Sequence, residues 1–144
     1  MQLKKDYKIY LLDDDMFYIN IFQQHLFNLG YHDVSTFSDP FACFEKGNPV
    51  PDIVFYDNGV DFLKGLEVLK KIKRQTPDIY MIFLCWPEDV ETVIQSLKYG
   101  AFDYLVKSEN DVQNIELVLS KINRVQELLQ KNNAIRFNRF QTNN

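Results

Sequence analysis

The stretch PDIVFYD, residues 51–57, joins a proline turn to a run of four apolar residues that ends on Asp57. An apolar run of this length after a turn signal is typical of a strand that is buried on both faces of a sheet. Binding and catalytic sites of open α/β sheets form at the carboxyl ends of such strands. Residues 53–56 therefore predict a buried strand that presents the Asp57 carboxylate at a functional edge.

Short apolar runs and amphipathic stretches alternate along the rest of the chain. Further strands are predicted at residues 8–12 (KIYLL), 33–37 (DVSTF), 79–84 (IYMIFL) and 102–106 (FDYLV). Helices are predicted at residues 15–29, 40–46, 66–72 and 88–99 and from Asp111 onward. Strict alternation of strands and helices favours right-handed crossovers, a parallel sheet and helices on both faces. The pattern predicts an α/β fold with five strands and five helices.

Composition limits the kinds of protein this chain can be. Its 144 residues fit one domain with a short tail, and a net charge of −4 argues against direct nucleic-acid binding. The two cysteines, Cys43 and Cys85, have no metal-ligand or redox-motif spacing, so a reducing cytoplasm is the expected location. Neither a signal peptide nor a membrane-spanning run is found in the sequence, and we expect no membrane association.

Charged residues follow three of the predicted strands. Asp13 and Asp14 come after the first strand, Asp57 after the third and Lys107 after the fifth. Because carboxylates in one cleft repel each other, a hard cation such as Mg²⁺ relieves the site, and it accepts oxygen ligands. A carboxylate beside the metal can act as a nucleophile toward phosphorus, with the lysine stabilising charge on the transferred group. We therefore expect a Mg²⁺-dependent phosphoryl-transfer site at this edge.

Four blocks of sequence in the right order and spacing resemble the receiver domain of two-component response regulators. They are LLDDD at 11–15, PDIVFYD at 51–57, Gly-Leu-Glu at 65–67 and LKYGAFDYLVK at 97–107. The resemblance covers residues 8 to about 125. It implies a flavodoxin-like, doubly wound five-stranded parallel sheet of strand order 2-1-3-4-5, with the last helix extended.

The resemblance also implies roles for the residues around Asp57. Asp57 would accept a phosphoryl group from a histidine kinase or a phosphotransfer protein. Asp13 and Asp14 would be the acidic pair that holds Mg²⁺, with Asp14 favoured as the direct ligand. Asp57 itself and the backbone carbonyl of Gly59 would complete the protein ligands. The domain would be a regulatory switch, not an enzyme, and would catalyse only its own phosphorylation and dephosphorylation.

Some positions match the family and others depart from it. Lys107 would pair with the phosphoryl group, and Tyr104 matches an aromatic ring that moves on activation. Cys85 stands at the switch position, where the family usually has Ser or Thr, and a thiol is a weak hydrogen-bond donor. Trp86 replaces a small residue, and Ser108 replaces a proline. These departures leave open a second reading: a degenerate receiver that acts as a phosphorylation-independent interaction module.

The last predicted helix continues beyond the expected domain. Its apolar residues from Ile115 to Leu129 keep a spacing of three and four, as in a coiled coil. We expect the receiver domain to span residues 1–127 and residues 128–144 to form a helical or frayed basic linker or tail. The extension predicts a homodimer, or a connection to an output domain that this sequence does not contain.

Overall fold

A computed structural model of the chain describes residues 6–57 and 62–142, without the side chains of residues 137 and 140–142. Five strands form the sheet: β1 (Ile9–Leu12), β2 (Val34–Phe37), β3 (Ile53–Asp57), β4 (Tyr80–Cys85) and β5 (Asp103–Val106). The α-helices in the described residues are α1 (Met16–Asn28), α2 (Phe62–Gln75), α3 (Val90–Ile94) and α4 (Asp111–Thr142). Short 3₁₀ helices occupy Pro40–Phe44, Pro87–Asp89 and Gln95–Tyr99.

The sheet is parallel and has the strand order β2-β1-β3-β4-β5, so the predicted flavodoxin-like fold is confirmed. Ile9 pairs with Val34 on one side and with Ile53 on the other, which places β1 between β2 and β3. Asp57 lies opposite Leu84 in the last register position of β3. This register brings the ends of β1, β3 and β5 to one edge of the sheet.

The three central strands β1, β3 and β4 are buried on both faces, whereas the edge strands β2 and β5 are half-buried. Alternate side chains enter two separate hydrophobic clusters. Ile9 and Leu11 of β1 face the cluster formed with α1 and α4, whereas Tyr10 and Leu12 face the cluster formed with α2 and α3. Side chains two apart on a strand share a face, so each continuous apolar run supplies both clusters. The uninterrupted runs that predicted buried strands are explained by this two-sided core.

Two of the five predicted helices differ from the prediction. The segment predicted as a helix at 40–46 is a single 3₁₀ helix that begins at Pro40 and is followed by Gly47, whose φ is +101°. The interval between these residues is too short for an α-helix to repay its nucleation cost. The segment predicted at 88–99 is divided into two 3₁₀ helices with α3 between them. The helix count was therefore wrong at residues 40–46, although the fold was right.

The ends of helix α1 are fixed by capping residues, and helix α4 extends far beyond the sheet. Asp15 caps α1, since its side chain accepts hydrogen bonds from the backbone N–H groups of Phe17 and Tyr18. Gly30 follows α1 with a φ of +99°, as a glycine after a helix end commonly does. Helix α4 continues to Thr142, so the described part of the tail is helical. No helix in the described ranges is both long enough and apolar enough to cross a membrane.

Candidate functional site at the carboxyl edge of the sheet

Asp13, Asp57 and Lys107 meet at the carboxyl edge, and all three are buried. Each follows or ends a different strand, so their proximity results from the parallel register of β1, β3 and β5. The Lys107 ammonium forms an ion pair with the Asp57 carboxylate, and the two side chains are only 5% and 4% exposed. The structure thus buries together three of the four charged residues that were predicted to gather at this edge, whereas the fourth, Asp14, is exposed.

Asp13 has the least favourable electrostatic environment of the three residues. Its Oδ1 accepts a hydrogen bond of 2.9 Å from the backbone N–H of Asp15, whereas no residue within 6–57 and 62–142 donates a hydrogen bond to its buried Oδ2. Burial raises the pKa of Asp13 well above its usual range, and the neighbouring Asp57 carboxylate adds to the rise. A buried carboxylate oxygen without a donor, beside a second carboxylate, is an arrangement that a bound cation stabilises.

These residues fit a Mg²⁺ ion. Mg²⁺ is typically bound by one or two carboxylates and keeps several waters, so Asp13 and Asp57 are a sufficient protein contribution. Within residues 6–57 and 62–142, no three His, Cys, Asp or Glu side chains converge into a complete metal site. Asp14 is exposed at the surface next to Asp13. The predicted carbonyl ligand, Gly59, lies outside the described residues.

Of the two predicted switch positions, Cys85 lies near the ion pair. Cys85 is 2% exposed at the end of β4, and burial raises the pKa of its thiol to about 11, with Asp89 and Asp57 contributing. Its carbonyl accepts a hydrogen bond of 2.8 Å from the backbone N–H of Lys107. Tyr104 is half-buried and packs against the same hydrophobic cluster as Cys85. At neutral pH the thiol is therefore protonated and the least reactive kind of cysteine.

The Lys107 ammonium lies over two aromatic rings, of which only Trp86 was singled out from the sequence. Its Nζ lies 4.2 Å from the ring centroid of Tyr18 and 4.8 Å from that of Trp86. Tyr18 lies one turn into α1, and its hydroxyl donates a hydrogen bond of 3.3 Å to Oδ2 of Asp111. The signal available in the sequence was an aromatic residue four positions after Asp14, which by itself is also compatible with a core residue.

The loop after Lys107 takes a local structure that proline at position 108 would not allow. The backbone N–H of Ser108 donates a hydrogen bond of 2.9 Å to Oδ1 of Asp111, and a proline has no such donor. The Ser108 hydroxyl in turn accepts from the backbone N–H of Asn110 at 3.0 Å. Asp111 thus ties this loop to Tyr18 on α1, directly beside the Lys107 side chain.

Comparisons with known proteins agree with the fold and the site. A family model for the response regulator receiver domain matches residues 9–119. The chain is 33% identical over 113 residues to the transcriptional regulatory protein ZraR of Escherichia coli K12, covering 78% of this chain and 25% of that protein. It is 32% identical over 101 residues to the DNA-binding transcriptional regulator NtrC of Klebsiella pneumoniae, covering 65% of this chain and 22% of that protein.

Solved structures show the same likeness. A response regulator receiver domain protein from Clostridium thermocellum superposes with a TM-score of 0.72 at 28% identity, covering 85% of this chain and 98% of that one. The beryllofluoride-activated receiver domain of DrrB gives a TM-score of 0.66 at 27% identity, covering 85% and 99%. The chain belongs to the response-regulator receiver domain family of two-component signalling. It spans about a quarter of the length of the curated relatives described above.

Proposed function

We propose that this domain accepts a phosphoryl group on Asp57 from a histidine kinase or a phosphotransfer protein, with Mg²⁺ as cofactor. The observation that carries the proposal is the buried group of Asp13, Asp57 and Lys107, in which one oxygen of Asp13 receives no hydrogen bond from the part of the chain that the structure describes. Two buried carboxylates facing one ammonium leave an excess of negative charge, which a cation would neutralise. The cation and Lys107 would then bind an anionic phosphoryl group. We further propose that Asp13 and Asp14 supply the acidic pair for the metal.

The transfer is a substitution at phosphorus. An oxygen of the Asp57 carboxylate forms the new P–O bond while the P–N bond to the donor's imidazole breaks. The electron pair of that bond stays on the imidazole nitrogen, which takes a proton from solvent, so an acyl phosphate and a neutral imidazole result. When bound, Mg²⁺ would neutralise charge on the phosphoryl oxygens. The Lys107 ammonium is already paired with the Asp57 carboxylate and moves only a short way to a phosphoryl oxygen.

The surface around Asp57 supports a protein as the donor. Phe17, in the first turn of α1, is 77% exposed, and Met16 beside it is also exposed. Trp86 lies half-exposed after β4. Large apolar side chains that face solvent around a buried reactive group are typical of a protein-docking surface. We propose that the donor protein contacts these residues while its phosphohistidine reaches Asp57.

The long helix α4 supports an output role beyond the receiver domain. Its second half extends past the sheet and exposes Leu128, Leu129 and Ile135. We propose that this half, within the predicted tail 128–144, pairs with a second copy of the chain or connects to an output domain. The relatives named as transcriptional regulators are about four times as long as the matched region. The free thiols Cys43 and Cys85 support a cytoplasmic location.

A degenerate receiver is the second candidate, and the closed geometry of the site favours it. The Asp57 side chain is covered, and the buried Cys85 thiol stands where a hydroxyl is usual. In that case partners would bind the domain without phosphorylation. The two candidates differ in one measurable property, which is the covalent modification of Asp57.

The experiment is intact-mass analysis after prolonged incubation with Mg²⁺ and phosphoramidate. We expect the mass of one phosphoryl group to be added, and we expect no addition with EDTA or in the Asp57→Asn variant. Asp52→Asn is a matched control, because Asp52 precedes β3 at the opposite edge of the sheet. Its phosphorylation should equal that of the wild type. Absence of modification in the wild type and also in Trp86→Ala would support the degenerate receiver instead.

A further inference from the structure

Tyr18 and Trp86 form a structure that we call the aromatic clamp, and it holds the Lys107 ammonium between two ring faces. The distances from Nζ to the two centroids, 4.2 and 4.8 Å, are within the range of cation–π attraction. The three side chains come from α1, from the segment after β4 and from the segment after β5. The clamp therefore joins three elements over the Lys107–Asp57 ion pair.

The two rings of the clamp differ in how firmly they are fixed. Tyr18 packs against the hydrophobic cluster that contains Phe22, and its hydroxyl donates to Asp111. Trp86 is 50% exposed, whereas Lys107, over which it lies, and its partner Asp57 have almost fully covered side chains. Trp86 is thus the outer ring of the clamp. It is the part that can swing into solvent without disturbing the core.

Phosphoryl transfer requires the donor's phosphorus to approach the Asp57 oxygen in line with the bond that breaks. A carboxylate that is 4% exposed and paired with Lys107 does not offer that path. We propose that Trp86 is a specificity-determining lid, which closes on Lys107 in the free protein and restricts the access of small phosphodonors to Asp57. This inference rests on the proposed phosphorylation of Asp57.

The lid discriminates between donors because a protein donor can stabilise the open position of Trp86 and a small donor cannot. A small phosphodonor makes no contact with the exposed half of Trp86 and must wait for the ring to leave Lys107. A protein donor can bind that exposed half together with Phe17 and stabilise the open form. Once a phosphoryl oxygen becomes the partner of Lys107, the ammonium is drawn from the ring faces, and Trp86 is released.

The first test compares phosphorylation rates with phosphoramidate and Mg²⁺ in four proteins. We expect Trp86→Ala to react roughly tenfold faster than the wild type, which corresponds to a cation–π hold of ordinary strength. Trp86→Phe keeps a ring over Lys107 and should react at a rate between the two. Tyr99→Ala is the matched control, since Tyr99 is also 50% exposed and also lies over a lysine, Lys70, at 5.1 Å. Its rate should equal that of the wild type.

The outcomes separate this inference from the proposed function. Equal rates for the wild type and Trp86→Ala, with both proteins phosphorylated, overturn the lid and leave the proposed function intact. No phosphorylation of either protein overturns both. An equal acceleration in Tyr99→Ala shows a general effect of losing a surface ring and also overturns the lid.

A second measurement tests the closed clamp without phosphorylation. Trp86 is the only tryptophan, so the fluorescence anisotropy of the protein reports its side chain alone. We expect Trp86 to be restrained in Asp57→Asn, where Lys107 remains, and to become mobile when Lys107→Met is added to that variant. The double variant removes both charges of the pair, so it avoids a buried unpaired charge. Equal mobility in the two variants would show that Lys107 does not hold the lid.

Discussion

At the scale of single residues, Asp13 carries most of the electrostatic imbalance of the site. Its Oδ1 accepts a hydrogen bond from the N–H of Asp15, but none of the described residues donates to its Oδ2, which is buried near the Asp57 carboxylate. A buried polar atom without a partner costs roughly 1–3 kcal/mol. The proposed cation would offset this cost.

Replacing Asp13 by Asn should stabilise the metal-free protein. The amide keeps the acceptor for Asp15 and can donate a hydrogen bond to Asp57, so we expect the free energy of unfolding to rise by about 1–2 kcal/mol. Urea denaturation in EDTA measures this difference at a pH of about 9, because the carboxyl of Asp13, whose pKa is raised to about 8, is ionised there. Asp14→Asn, which alters an exposed carboxylate, should change the value by less than about 0.5 kcal/mol. If Asp13→Asn were less stable than the wild type, the buried Oδ2 of Asp13 would not destabilise the metal-free protein in solution.

The same two variants identify the metal ligand. Mg²⁺ at about 100 times its Kd should stabilise the wild type by about 2.7 kcal/mol, because it binds only the folded state. We expect Asp13→Asn to lose most of this gain. The gain in Asp14→Asn shows whether the exposed carboxylate also contacts the ion. Full Mg²⁺ stabilisation of Asp13→Asn would remove Asp13 from the site.

Substitution of Cys85 should change the affinity of the domain for a phosphoryl analogue. A thiol donates a weak hydrogen bond, whereas a hydroxyl bonds an anionic oxygen more strongly, by about 1–1.5 kcal/mol. Cys85→Ser should therefore bind beryllofluoride, in the presence of Mg²⁺, about tenfold more tightly than the wild type. Cys85→Ala is the control and should match or fall below the wild type. Equal affinities for Ser and Cys would show that position 85 does not contact the bound group.

At the scale of elements, the two halves of helix α4 lie in different environments. Its first half supplies Ile115, Val118, Leu119 and Ile122 to the core, and all four are buried. Its second half, from about Leu128, is exposed along the described side chains. The sequence prediction placed the end of the receiver domain at residue 127, although the apolar spacing itself continues unchanged to Leu129 and is the same in a core helix and a coiled coil.

A matched pair of isoleucines tests this division. Ile122 is fully buried and Ile135 is 48% exposed. We expect Ile122→Ala to lower the free energy of unfolding by about 2–5 kcal/mol and Ile135→Ala to change it by less than about 0.5 kcal/mol. Chemical denaturation at low protein concentration measures both. A large effect of Ile135→Ala that grows with protein concentration would instead show that this half is buried between two copies.

At the scale of the whole molecule, the sequence predicted which residues lie at the carboxyl edge of the sheet better than it predicted which side chains pack over them. Asp13, Asp14, Asp57 and Lys107 were predicted to meet because parallel strands bring their carboxyl ends together whatever the details of packing. Three of them are buried together, and Asp14 is exposed beside them. The clamp was missed because the position of Tyr18 over Lys107 depends on how α1 rotates against the sheet. The 3₁₀ helices at 40–44 and 95–99 were missed because apolar spacing does not distinguish i+3 from i+4 hydrogen bonding.

The central claim is that Asp57 is the phosphoacceptor, and borohydride trapping tests it most directly. Borohydride reduces an aspartyl phosphate to homoserine, so peptide mass spectrometry shows which residue was phosphorylated. After incubation with phosphoramidate and Mg²⁺, we predict homoserine at position 57, with more in Trp86→Ala than in the wild type and none in EDTA. Homoserine at another aspartate, or at no position even in Trp86→Ala, would contradict the account.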